Sequence, residues 1–580
     1  MERRLLLAIV LSALVLFLFQ AYYGTPPGPA PTASNRSATA ANLSPEAPLS
    51  AAAGATPLPP PPPAAALAVG ETNEHEVTVE TQKARVVFTN RGARLRHWVL
   101  KEYRDDHGEL LDLVPSSIPP DVPLPFALRV EDAKMTAALN DSLYRVSTAD
   151  AHIDATAQPA SVVFEVETAD GLKARKTFEF EPATFIVQFS ASVQQGTQAL
   201  NPTVEWGPGL GDEIARAQQG SFLRPSYLYR AQAIFHIDGS VERVASAKIG
   251  QALMRDGAFR WAGVDDHYFI SAVLQPPGTA RLEYHEVVIP DTKTTPPLTA
   301  HYVSYSVKFA APPEKARFYV GPKQLDIMRG IDPEFTRAIY FGIFAWLAAP
   351  LLDGLKWVHG FVGNWGWSII VLTIFINLAM FPLRHMSVVS MRRMQEIQPQ
   401  MKAIQDRYAQ YKITDPERQK MNTEVMELYR THGVNPASGC VPMLLTLPFL
   451  FAFYAMLGQA IEIRGEGFLG WITDLSRSDP YFITPVLMGL TMFWQQRITP
   501  TSADPNQQKM MMFMPLIVMT TMMFAPAGLV IYWLVSNVWG IGQQYVTGYL
   551  IGPAKGPGGK SGGSKPRDII VPQAADRRLK

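Results

Sequence analysis

Few residues of this chain have types and spacing that suggest covalent chemistry. The stretch Ala554–Ser561, "AKGPGGKS", has the glycine and lysine spacing of a phosphate loop. A working phosphate loop follows a strand and opens a helix, so that backbone N–H groups converge on the phosphates. Here "GGSKPRD" follows, a Gly/Ser-rich tail, and nucleotide binding is rejected. His75, His97, His107, His152, His236, His267 and His301 are scattered along the chain and are read as surface or packed histidines. The single cysteine, Cys440, makes no intrachain disulfide and no thiolate metal cage. What stands out is neutral polarity inside apolar runs. Thr373 and Asn377 interrupt "TIFINLAMFPL"; Thr446, Thr491, Gln495, Gln496, Thr520, Thr521, Ser536, Asn537, Gln543 and Gln544 interrupt others. In hydrocarbon such a group either bonds a neighbouring helix or lines a hydrated cavity. The chemistry available is thus hydration and hydrogen bonding, with no cofactor or metal called for.

The elements that must position these groups follow from hydropathy. Residues 1–24 contain "LLLAIVLSALVLFLF" behind Arg3 and Arg4, which reads as an uncleaved signal-anchor helix with its N-terminus inside, a cleaved signal peptide being the alternative. Residues 25–69 are Pro/Ala-rich, including "PLPPPPPAAA", and form a tether. Residues 70–325 alternate apolar and polar with β-branched and aromatic residues, as in "HEVTVETQKARVVFTNRGARLRHWVL", which breaks at Asn90-Arg91-Gly92. They predict a large exported antiparallel β domain. A sugar-binding or sugar-modifying domain on a membrane anchor is the alternative function; it leaves the later apolar runs unused.

Beyond this the chain turns membrane-like. Residues 332–358 predict an interfacial amphipathic helix, because its apolar part is short, holds Pro350 and ends at Asp353. Spans are expected at 361–384, 439–460, 482–499, 509–526 and 528–549, joined by a periplasmic loop at 461–481 and a cytoplasmic loop at 500–508. Residues 385–438 read as a helical hairpin: Met391, Met394, Ile397, Met401 and Ile404 share a face, and Asp415-Pro416 starts the second helix. This segment is rich in Arg and Lys, as is the basic tail 550–580, so both belong inside. With the anchor oriented N-in, five later spans satisfy that rule, and both termini are cytoplasmic. Asn377 then lies 12 residues after Trp365, roughly 18 Å along a helix, in the cytoplasmic half of its span. Methionines crowd 510–523; they suit either packing, the preferred reading, or an adaptable apolar surface.

Three long blocks carry a resemblance: "FVGNWGWSIIVLT" (361–373), "NPASGCVPMLLTLPFLFAFYAML" (435–457) and "DPNQQKMMMFMPLIVMTTMMFAPAGLVIYWLVSN" (504–537). They resemble the YidC/Oxa/Alb family of membrane protein insertases. "FYVGPK" (318–323), the anchor and the exported domain resemble its Gram-negative YidC type. The resemblance implies a membrane α-helical protein, an N-terminal anchor plus a five-helix insertase core, with a large exported all-β supersandwich domain. It implies a hydrophilic groove open to the cytoplasm and the bilayer in an inner-membrane protein. It also implies partners: nascent membrane proteins, the translating ribosome and Sec translocon subunits, with no nucleotide or metal consumed. Carried over by position, the family's groove arginine falls on Asn377, its groove glutamine near Gln496 and the aromatic of its last span on Trp533, preceded by Tyr532, while the substrate slide falls on Thr446 and Leu450; Thr373 and Asn537, polar groups of the same apolar runs, complete the candidate groove. Asn377 is a departure, since the family has an arginine there; a neutral amide keeps hydrogen-bonding capacity without charge. If hydration is what matters, Asn377→Leu should impair insertion more than Asn377→Arg.

Overall fold

A computed structural model describes residues 67–551 except 106, 117, 120, 121, 149, 212–229, 251, 292–297, 412–414, 434–440 and 500–504; the side chains of 67, 68, 290, 291, 298, 299, 387, 441–446, 505–510 and 551 also lie outside the description. The anchor, residues 25–66 of the tether, Cys440, the rejected phosphate-loop stretch and the tail from 552 therefore lie outside the described residues. The chain divides into two compact units, Met1–Gly342 with Gly458–Glu466, and Ile343–Leu457 with Gly467–Lys580.

Among the described residues the first unit is β-rich, with an eleven-stranded sheet and two five-stranded sheets. Period-two patterning decides which side chains enter its core. Along Leu172–Phe180 and Ile186–Gln195, alternate residues are buried, and the strands pair antiparallel with Phe178 opposite Phe189. Phe178 meets Phe88 at 4.4 Å and Phe189 at 5.1 Å between ring centroids, and Phe126 meets Phe318 at 5.2 Å. The turn foreseen at Asn90-Arg91-Gly92 is present, with Gly92 at φ 68°. The all-β expectation for 70–325 needs one amendment, the helix Ala133–Asp141; a further helix, Leu325–Ile331, follows the expected domain within the same unit.

Alternation also carries a lysine inward. Lys176 is fully buried, and its ammonium donates to the carbonyls of Gly92 (2.6 Å), Phe126 (2.8 Å) and Ala93 (3.3 Å). Burial and nearby Arg94 push it well below the usual lysine range. A second buried charge, Lys323 of "FYVGPK", pairs with Asp265 at 2.9 Å, both side chains being at most 2% exposed. Next to it, Asp266 accepts from the N–H groups of Tyr268 (2.8 Å) and Phe269 (2.7 Å). His267 Nε2 donates to Gly458 O at 2.7 Å, and the Arg464 guanidinium lies over the rings of Tyr268 and Phe269. Residues 458–466, with Ile461 and Ile463 buried, thus fold with the β-rich unit.

The second unit is helical. Its elements are α1 (Ala345–Val362), α2 (Trp365–Ala379), α3 (Phe381–Arg407), α4 (Pro416–Thr431), α5 (Val441–Gln459), α6 (Ile483–Ile498), α7 (Pro505–Met522) and α8 (Ala527–Ile551). Among the described residues no single helix is long and apolar enough to cross a membrane by length and composition. One bent pair passes that test together, Gly342–Val362 with α2, at 120°. The interfacial helix expected over 332–358 is displaced. Short 3-10 turns occupy Pro333–Ala338 and Gly342–Phe344, and α1 runs to Val362, closed by Gly363 at φ 71°. The run expected to span 361–384 is divided at Met380: α2 ends there, and Pro382, which has no N–H to donate, sits in the first turn of α3. α3 therefore begins before the expected hairpin.

Large apolar side chains remain exposed on this unit. They include Trp346, Trp357 and Phe361 on α1, Phe375 and Leu378 on α2, Leu490 and Trp494 on α6, and Phe513, Leu516 and Ile517 on α7. Met511, Met512 and Met514 are exposed too, which corrects the packing reading for those methionines and favours the adaptable surface. Apolar bands of this extent are unsuited to water and suited to lipid.

Candidate functional site

The N-termini of α2, α6 and α8 meet at one end of the helical unit. Asn364 caps α2 by accepting from Trp367 N, and its amide donates to Gly467 O at 3.1 Å. Gly366 has no side chain, and Phe468 packs against it where a Cβ would stand. Asp479 accepts from Thr484 N and Oγ1 at 2.8 and 2.9 Å and so holds the start of α6. Ala527 N and Gly528 N donate to the carbonyls of Arg477 and Leu475, which fixes the start of α8. Residues 467–479 thus gather three helix starts, and the α3–α4 hairpin leaves from the opposite end of α2.

On α2, Thr373 and Asn377 share a face four residues apart. Thr373 is fully buried and returns its hydroxyl to Ile369 O at 2.6 Å. Asn377 is 3% exposed. Its Nδ2 donates to Thr373 O at 2.8 Å and reaches Ser536 Oγ on α8 at 3.5 Å. Its Oδ1 accepts from Arg384 Nη1 at 2.7 Å. Tyr532, one turn before Ser536, is hydrogen-bonded to that serine and lies within electrostatic reach of Arg384. Its ring stacks on Phe453 of α5 at 4.3 Å with planes 10° apart. Leu450, half-buried, precedes Phe453 by three residues on the same α5 face. Thr446 lies one turn earlier on α5, with its side chain outside the described residues.

The expected groove set therefore divides. Thr373, Asn377 and Tyr532 come together around Ser536, and Leu450 lies on the α5 face that meets Tyr532. Asn537 faces elsewhere: it is 5% exposed, and its amide reaches Met488 O and Thr491 Oγ1 of α6, each at 3.4 Å. Gln496 Nε2 donates to Met511 O at 2.6 Å and so ties α6 to α7. Trp533, half-buried, neighbours Tyr532 along α8. The residue missed by sequence reasoning is Arg384, the last residue of the expected span 361–384, which charge counting groups with the basic residues that follow it. Its signal was positional: it stands seven residues after Asn377, two helical turns, and so on the same face of a nearly continuous helix. Two further ties extend the polar seam towards the end of α8: His385 Nδ1 meets Thr547 Oγ1 at 3.3 Å, and Gln543 Nε2 donates to Phe381 O at 3.3 Å.

A β-rich unit followed by a helical unit with broad exposed apolar faces and a buried polar seam marks a membrane-associated protein. A family model described as "60Kd inner membrane protein" matches residues 357–552, and one described as "YidC periplasmic domain" matches residues 76–353. Proteins named membrane protein insertase YidC are similar over nearly their full length. That of Syntrophus aciditrophicus is 32% identical over 568 residues, covering 94% of this chain and 99% of the relative. That of Geobacter metallireducens is 34% identical over 557 residues, covering 94% and 98%. A crystal structure of an active YidC insertase with its first transmembrane domain resolved matches at TM-score 0.32 and 15% identity, over 84% of this chain and 95% of that one. The chain belongs to the YidC family of membrane protein insertases. Membership places it in the inner membrane with a periplasmic domain, and leaves the sugar-binding alternative without support.

Proposed function

We propose that the protein is an insertase and membrane chaperone that takes nascent transmembrane segments into the polar seam between α2, α3 and α8 and releases them sideways into the inner membrane. The observation that carries this reading is the chain Thr373–Asn377–Arg384 with Ser536 and Tyr532, buried in a unit whose outer faces are apolar. Neutral and charged hydrogen-bonding groups at that depth lower the barrier for the polar flank of an arriving segment. Burial of the segment's apolar surface in lipid, at about 25 cal/mol per Å², then drives release. No bond is made or broken, so the protein lowers a barrier and supplies no net energy.

Leu450 on α5 and Trp533 on α8 line the path along which the segment passes. Both termini, the α3–α4 hairpin and the 500–508 loop are cytoplasmic, and the β-rich unit is periplasmic. Residues 467–479, gathered at the opposite end from the hairpin, support this alternation. The basic hairpin is the receiving arm for the translating ribosome, and the Sec translocon is a second partner. The test is photocrosslinking from Leu450 or Trp533 to a ribosome-bound, single-span nascent chain. An adduct at either position is the expected result. No adduct where an established insertase gives one would refute the reading.

A further inference from the structure

We infer that the β-rich unit positions α5, the helix that carries Leu450, and that His267 is the residue through which it does so. The inference rests on the insertase reading above and assigns the β-rich unit a part in it. The strands Phe259–Asp265 and Phe269–Leu274 pair antiparallel, with Asp265 opposite Ile270. The turn between them is locked from two sides. Asp266 accepts from Tyr268 N and Phe269 N, and its own N–H donates to Phe269 O at 3.0 Å. Lys323 holds both flanks: its N–H donates to Tyr268 O at 2.7 Å, and its ammonium pairs with Asp265. His267 is thereby fixed at the tip. Its Nε2 donates to the carbonyl of Gly458, in the last turn of α5.

A helix ends with four carbonyls that have no partner within it. Water satisfies such groups at a free end; here a side chain from a β-hairpin turn takes one of them. Turn tips ordinarily face water, yet Asp265, Asp266, His267 and Lys323 are each at most 4% exposed. The chain that follows α5 lies against this turn. Ala460, Ile461 and Ile463 are buried, and the Arg464 guanidinium stands over the rings of Tyr268 and Phe269 at 5.6 and 5.3 Å from their centroids. Burial and the Lys323 ammonium push His267 down to about 3, so the imidazole is neutral and carries its proton on Nε2, facing Gly458 O. The hold passes to Leu450 along the backbone of α5 itself. Leu450 precedes Gly458 by eight residues, roughly 12 Å of helix axis. Pro448, which has no N–H for the carbonyl four residues back, is the break at which α5 bends most easily, and Leu450 lies on the Gly458 side of it. A tilt allowed at Gly458 therefore moves Leu450, and the residues before Pro448 need not follow. His267 is then a positioning residue: it touches no arriving segment and fixes the helix that does.

The test uses the purified full-length protein, in nanodiscs for amide hydrogen exchange and in phosphatidylethanolamine/phosphatidylglycerol vesicles for insertion of an in vitro translated single-span substrate. His267→Leu removes the donor and leaves Gly458 O unsatisfied. It is expected to raise exchange over residues 453–463 about tenfold, the factor for one buried acceptor left without its partner, while Leu172–Phe180 stays as protected as in the wild type. It is expected to slow insertion roughly fivefold at saturating substrate, with the half-saturating concentration unchanged. His267→Gln, whose amide donates to the same carbonyl, is expected to restore both. A Gly-Ser-Gly insertion between Leu457 and Gly458 leaves the held turn intact and interrupts the helix. It is expected to slow insertion as His267→Leu does, and the two together are expected to be no worse than either alone. Additive losses overturn the proposal, because they mark independent damage. Loss of protection in Leu172–Phe180 with slow insertion that glutamine does not restore marks a merely structural role and overturns it too. So does unchanged exchange or unchanged insertion in His267→Leu. If the wild-type protein inserts nothing above protein-free vesicles while His267→Leu still raises exchange over 453–463, the insertase reading fails, and the part assigned to His267 in insertion fails with it.

Discussion

Exchanging charge between positions 377 and 384 tests the geometry of the seam through stability. In the wild-type arrangement one guanidinium donates to one amide oxygen at 2.7 Å. Asn377→Leu removes the acceptor. A hydrogen bond to a charged group is worth about 1.5–3 kcal/mol, and the weak 3.5 Å contact to Ser536 adds little. The added apolar burial of leucine returns about 1 kcal/mol, so the net loss is about 1–2 kcal/mol. Asn377→Arg is worse, because it sets a second guanidinium against the first. Two unit charges about 4 Å apart repel by about 4 kcal/mol at an effective dielectric of about 20. For a unit of this size that is a fall of about 10 °C in the thermal midpoint. Adding Arg384→Asn to Asn377→Arg restores one cation and one amide and is expected to recover most of the loss. The assay is thermal unfolding of the full chain in nanodiscs, analysed as a double-mutant cycle. Residue types alone suggest that arginine is tolerated better than leucine at 377; the observed contact reverses that order for stability. If Asn377→Arg is as stable as wild type, or the exchange recovers nothing, Arg384 does not occupy the place described.

Other perturbations read different parts of the molecule. Burial pushes Asp266 up to about 6, so the folded state binds its proton more tightly than the unfolded chain; this contribution weakens stability as pH rises from about 4 to 6. Burial pushes His267 down to about 3, with the opposite sign: stability is lost as pH falls from about 6.5 to 3. Asp266→Asn is therefore expected to raise the thermal midpoint at neutral pH and to unmask a steeper acid loss, as measured by unfolding at pH 4 to 7. Lys323→Met strands the Asp265 carboxylate and is expected to cost about 3–5 kcal/mol, whereas pairing it with Asp265→Leu recovers most of this; denaturant unfolding measures both. A Cβ on Gly489 would stand 2.7 Å from Met519 Sδ, so alanine is tolerated by a shift of the flexible thioether. Leucine wedges α6 from α7 at about 1–3 kcal/mol, and comparison of thermal midpoints separates the two.

What could be read from the chain depended on the range of each cause. The β-rich unit was legible because alternation is a nearest-neighbour property: Leu172–Phe180 declares its inner face residue by residue. The same alternation put Lys176 inside, but only the folded turn at Gly92 and Ala93 shows which carbonyls satisfy it. The polar seam was legible as a list and illegible as a geometry. Ser536 and Asn537 are adjacent in sequence, yet a rotation of about 100° per residue sends one towards α2 and the other towards α6. Gln496 looked like a groove residue and spends its amide on α7.

Arg384 shows the deeper reason. Hydropathy set it at the very end of the span 361–384, where the apolar run stops, and charge counting read it with the water-facing basic residues beyond. Its side chain instead turns back along the helix it has just left. Long cationic side chains move their charge far from their own Cα, so the position of a charge is not the position of its residue. The asparagine at 377 and the arginine at 384 therefore form one unit: the amide supplies direction and the guanidinium supplies charge. A substitution at 377 alone, judged by residue type, misjudges the electrostatics of the seam, because the charge that type omits is delivered from two turns away.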